Sequence, residues 1–75
     1  MPWRKTMNDE KLRKQIGANI VSYRKRNNLT QAGLAEKINY SDKSVSKWES
    51  GMSIPDLEKI VKMSALFGVS TDYLL

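Results

Sequence analysis

From Asp9 onward the apolar positions fall at helical intervals. Leu12, Ile16, Ile20 and Tyr23 step by four, four and three, which puts them on one stripe of a helix, with Lys11, Arg13, Lys14 and Lys25 off it. Asn27 and Asn28 stop that helix, because Asn tolerates the left-handed backbone at a C-terminus. Thr30 suits the N-cap of a second helix with Leu34, Ala35 and Ile38 on its inner face, and Asn39 breaks it after two turns. Ser41 caps a third helix and Gly51 ends it. Pro55 keeps the connector MSIP out of helix. Asp56 then caps a fourth helix carrying Leu57, Ile60, Val61, Ala65 and Leu66, closed by Gly68, and Ser70 opens a last short turn, STDYLL. The pattern predicts an all-α, compact bundle of five short helices without strands, whose short connections keep neighbours packed together. Residues 1–8, MPWRKTMN, lack periodicity and are expected as a flexible N-terminal arm, or partly as an alternative-start extension, before a single domain over 9–75.

The third helix stands apart. In YSDKSVSKWESG only Val45 and Trp48 are apolar within the helix, and at a spacing of three they share one face. So polar a helix has little reason to be packed away. Together with the second helix it fits a helix-turn-helix over residues 30–49, two short helices joined by a turn of about three residues. In such a unit the first helix braces against the sugar-phosphate backbone and the second enters the major groove. Val45 and Trp48 would anchor it from below, leaving Asp42, Lys43, Ser46 and Lys47 as the reading face.

Composition narrows the chemistry. Seventy-five residues make one small domain, burying only about 60% of the surface its unfolded chain exposes. There is no cysteine and no histidine, which removes disulfides, thiolates, the usual zinc ligand and the usual general base. Glu36, Asp42, Glu49 and Asp56 are spread over caps and helix faces rather than paired. No catalysis, metal or cofactor is therefore expected. No apolar run approaches the roughly 18 residues of a membrane span and no signal-peptide core is visible, so a soluble, cytoplasmic protein without a membrane partner is expected. The net charge of +5 is uneven: residues 1–28 hold eight Lys/Arg against two acids, residues 29–51 three against three, and residues 52–75 two against three. That field suits a polyanion such as nucleic acid.

Four motifs in order carry a resemblance. LTQAGLAEKI, SVSKWESG, IPDLEKI and FGVSTDYLL, within a span from about Ile16 to Leu75, resemble the Cro/repressor-type helix-turn-helix, or XRE, family. The resemblance implies a bundle of the phage-repressor DNA-binding-domain type. It also implies a transcriptional regulator, expected as a repressor, that binds a palindromic operator in double-stranded DNA as a homodimer. Half-sites would lie one helical turn, roughly 34 Å, apart.

By position, Asp42, Lys43, Ser46 and Lys47 match the family's base-reading places. Thr30, Gln31, Ser41 and Ser44 match phosphate-contacting or positioning places, Gln31 also buttressing helix-three side chains. Arg24 and Glu49 match an ion pair tying helix one to the end of helix three. Lysines reading bases favour guanine N7 and O6, a contact discriminating by about 1–3 kcal/mol. Asp42 has a weightier reason in the helix dipole, since a carboxylate near DNA is tolerated only where it accepts from a cytosine amino group.

Gly33 and Asn39 depart from the family pattern without threatening the fold, and Trp3, Arg4 and Lys5 precede its domain. Tyr73, Leu74 and Leu75 would serve either as a dimer contact or as a plug beneath the core. The alternative reading is an antitoxin or adaptor-type module whose main partner is a protein.

Overall fold

Residues 9–74 are described by the structure, a computed structural model. The proposed arm over 1–8 and the terminal Leu75 lie outside the described residues.

Each helix ends on a local device, and the last three also begin on one. α1 (Asp9–Arg26) is followed by Asn28 at φ 57°, and the amide of Leu29 folds back onto the Arg24 carbonyl at 3.1 Å. Its last turn holds Arg24, Lys25 and Arg26, cations placed where the helix dipole is negative. α2 (Gln31–Lys37) starts with Thr30 Oγ1 accepting from the Gly33 amide at 2.9 Å, and is followed by Asn39 at φ 58°. α3 (Asp42–Ser50) starts with Ser41 Oγ accepting from the Ser44 amide at 3.2 Å. It ends on Gly51 at φ 83°, a left-handed conformation that only glycine adopts without steric cost. α4 (Leu57–Phe67) is capped by Asp56 and closed by Gly68. Removing such a cap has a known cost, so Ser41→Ala should lower stability by about 1 kcal/mol, read from the urea midpoint.

The five-helix expectation needs correction: four α-helices are present, and the last element is a 3-10 turn over Thr71–Tyr73. Its bonds run from Tyr73 N to Ser70 O at 3.1 Å and from Leu74 N to Thr71 O at 3.0 Å. So short a segment closes i to i−3 more readily than a full α-helical turn. No strand occurs among the described residues.

One core gathers Ile16 and Ile20 from α1, Leu34, Ala35 and Ile38 from α2 and its cap, Val45 and Trp48 from α3, Ile60, Met63 and Phe67 from α4, and Leu74 below. Leu74 thus acts as the plug, while Tyr73 remains on the surface. Two helices are rolled relative to the faces their apolar residues suggest. In α1, Leu12 is 48% exposed, and the face toward α3 runs through Arg13, Gly17, Ile20 and Arg24. The cause is Gly17. A Cβ there would overlap the Trp48 carbonyl oxygen and lie 2.8 Å from that of Glu49, so the two backbones meet where a side chain is absent. In α4 the buried stripe is Ile60, Met63, Ser64 and Phe67, a clean i, i+3, i+4, i+7 set, whereas Leu57 is 73% exposed. Phe67 decides that roll by stacking on Tyr23 at 5.8 Å between ring centroids.

Candidate nucleic-acid interface

Helix three is mounted by its underside and held at both ends. Val45 and Trp48 are buried, and Asp42, Lys43, Ser46, Lys47 and Ser50 are exposed on the opposite side. The N-terminal end is fixed by Ser41, whose hydroxyl also donates to Ser44 Oγ at 3.0 Å. Ser44 is half-buried by that contact, so of the expected interface residues on this helix it is the one already engaged with the protein.

The C-terminal end is fixed by charge. Arg24 reaches across from α1 with Nε donating to Glu49 Oε2 at 2.6 Å and Nη2 to Oε1 at 3.0 Å, the forked geometry that suits guanidinium and carboxylate. Its Nη1 donates to the Leu29 carbonyl at 2.9 Å, so the same side chain also pins the link between α1 and α2. Gln31 Nε2 completes the cluster by donating to Glu49 Oε1 at 2.9 Å. Gln31 thereby joins the start of α2 to the end of α3, and the angle between the two helices is set by hydrogen bonds as well as by packing.

Two further contacts lie outside the set expected from the sequence. Arg13 Nε donates to the Gly51 carbonyl at 3.0 Å, satisfying a peptide oxygen left free at the end of α3. Arg13 lies off the apolar stripe, and nothing in its surroundings singles it out. Tyr40, in the turn between α2 and α3, stacks on Trp48 at 5.8 Å with 11° between the ring planes. The signal for Tyr40 was present but weak, an aromatic ring isolated in a polar turn.

The expected residues therefore occupy one continuous region. Thr30 and Gln31 open α2, Ser41 and Ser44 brace the start of α3, and Asp42, Lys43, Ser46 and Lys47 project from it. No group of His, Cys, Asp or Glu among the described residues is placed to hold a metal ion. No helix of the described residues is long and apolar enough to cross a membrane.

Comparison with known proteins resolves the class. A family model described as helix-turn-helix matches residues 20–74, from the middle of α1 through the 3-10 turn. The chain belongs to the Cro/repressor-type helix-turn-helix family.

Among curated proteins of this helix-turn-helix class, it is 37% identical over 60 residues to the transcriptional regulator ImmR of Bacillus subtilis, covering 80% of this chain and 47% of ImmR. It is 46% identical over 48 residues to the transcriptional activator BcrR of Enterococcus faecalis, covering 64% of this chain and 24% of that protein. The chain thus spans about half the length of ImmR and about a quarter of that of BcrR. Among solved structures it resembles the P22 c2 repressor in complex with a synthetic operator, at 32% identity and a TM-score of 0.75, over 80% of this chain and 91% of that one. In this Cro/repressor-type domain the polar face of α3 is left open by the helix-turn-helix geometry.

Proposed function

We propose that this domain binds double-stranded DNA sequence-specifically as part of a transcriptional regulator, with α3 in the major groove. The carrying observation is the mounting of α3. A face of Asp42, Lys43, Ser46 and Lys47 is open to solvent, while the opposite face and the C-terminal end are locked by Val45, Trp48 and the Arg24–Glu49–Gln31 cluster. A rigid helix with a polar outer face is what base readout in a groove requires. In this reading Lys43 and Lys47 read guanines, Ser46 and Asp42 complete the base-facing set, and Thr30, Gln31, Ser41 and Ser44 position the helices on the phosphates.

The domain acts in the cytoplasm as a homodimer on a palindromic operator, and the regulator represses. Repression is supported by the likeness to the P22 c2 repressor, while BcrR bears an activator's name. Exposed apolar side chains at Met52, Ile54 and Leu57, just beyond the end of α3, favour self-association beside the reading helix.

Selection of bound duplexes from a random library tests the whole reading. An enriched palindrome with half-sites a turn apart is expected, and its absence would count against specific binding. On the selected duplex, Lys47→Ala should relax preference at one or two base positions. Lys25→Ala, at the exposed end of α1, should weaken all sequences alike and flatten the salt dependence of log K by up to about 1. A uniform loss with both variants would mean that α3 does not read bases.

A further inference from the structure

We propose that Lys59, Tyr40 and Trp48 form a latch that aims the N-terminal end of the reading helix, making Lys59 and Tyr40 positioning residues for sequence discrimination. The proposal rests on the DNA-reading function above. Tyr40 is tied to three helices at once. Its amide donates to the Ala35 carbonyl of α2 at 2.8 Å, its ring stacks on Trp48 of α3, and the Lys59 ammonium of α4 stands 4.4 Å from the ring centroid.

Two features separate this cluster from ordinary core filling. Tyr40 is half exposed, so its ring is not needed to close the core. Lys59 is only 9% exposed, and its Nζ meets Glu58 Oε1 at 3.7 Å, with that carboxylate itself largely in solvent. An apolar side chain would be buried there with less penalty than an ammonium group. What the ammonium adds is direction, because a cation is drawn to the face of an aromatic ring and not to its edge. The ring is thereby fixed, and with it the backbone just before Ser41, Asp42 and Lys43.

Base readout depends on that placement more than phosphate attraction does. A paired contact to a base edge fails when its donors shift, whereas long basic side chains still find a phosphate. Loosening the turn should therefore lower discrimination while leaving non-specific binding intact.

The test measures affinity for the selected duplex and for a random duplex, with Lys59→Met, Tyr40→Ala and the two combined. Wild-type protein is read first. If it enriches no sequence, the DNA-reading function fails and a specificity latch falls with it. Given an enriched sequence, each single variant should lower the specific-to-random ratio by roughly tenfold, between what an exposed and a desolvated cation–π contact supplies. The combined variant should lose no more than the larger single, because both act through one contact. Lys59→Arg and Tyr40→Phe should restore the ratio, since each keeps the cation or the ring.

Tyr40→Ala leaves the charge unchanged. If Lys59→Met weakened both duplexes equally while Tyr40→Ala had no effect, Lys59 would be a phosphate contact and the latch would be wrong. If circular dichroism showed lowered melting temperatures with the ratio unchanged in both variants, the cluster would serve stability alone, and the proposal would again be overturned.

Discussion

Gly17→Ala should destabilise the domain by about 3 kcal/mol or more, although helix propensity alone argues for the opposite sign. Alanine is the better helix former by roughly 0.8–1 kcal/mol, and position 17 lies in the middle of an 18-residue helix. The opposing effect is steric. The added methyl would overlap the Trp48 carbonyl oxygen and press on that of Glu49, and neither is the end of a flexible side chain that can swing aside. Relief requires α1 and α3 to separate, which would pull on the Arg24–Glu49 and Arg13–Gly51 contacts that join the same two helices. Urea unfolding measures the change directly. Ala18→Gly, at an exposed neighbouring position, supplies the comparison, because it should cost only the propensity difference. A Gly17→Ala protein as stable as wild type, or more so, would show that the helices do not approach as closely as the geometry requires.

The second large effect lies in the pair at the far end of α3. Glu49→Ala should cost about 3–5 kcal/mol, as expected when one partner of a buried ion pair is removed. The side chains of Arg24 and Glu49 are only 13% and 6% exposed, so water cannot readily replace the lost partner. Three side-chain N–H groups donate to this carboxylate, two from Arg24 and one from Gln31, and all three lose their acceptor together. Arg24→Met should be comparably harmful, since it strands the carboxylate with Gln31 alone and also frees the Leu29 carbonyl. The double variant Arg24→Met/Glu49→Leu removes both charges and should recover much of the loss, because well-packed apolar replacements of such pairs are often neutral. A double-mutant cycle in urea would thus show strong coupling. Strictly additive losses below about 1 kcal/mol would instead identify a solvent-screened surface pair.

Both expectations concern the seating of α3, and under the proposed function they bear on binding as well as stability. In the proposed DNA-bound state α3 presents the face opposite Val45 and Trp48, so its aim depends on what lies beneath and at its ends. Gly17 sets its distance from α1, Arg24 and Gln31 secure its last turn, and Tyr40 stands at its first.

By itself the sequence determined what depends on near neighbours. Thr30, Ser41 and Asp56 cap because a short oxygen-bearing side chain can reach an amide three residues on, whatever the rest of the fold does. Asn28, Asn39 and Gly51 terminate or turn because their own backbones accept positive φ. The unusual surface of α3 was legible for the same reason, since two apolar residues at a spacing of three leave the remainder of any helix polar. The Arg24–Glu49 pairing was legible only through the family resemblance, because residues 25 apart carry no local mark of contact.

The tertiary structure alone decided which way each helix is rolled. Leu12 and Leu57 looked like core by spacing, yet the arc of apolar residues on α1 and α4 is wider than the face each can bury. Gly17 and Phe67 chose within it, through contacts with distant elements. The same holds for Arg13, Tyr40 and Lys59, whose partners are a carbonyl at the end of another helix, an indole eight residues on and a ring in a distant turn. Periodicity reports the direction of a side chain relative to its own helix axis. Only packing fixes where that axis lies against its neighbours, and a close approach through a glycine or a cation over a ring exists only once it does.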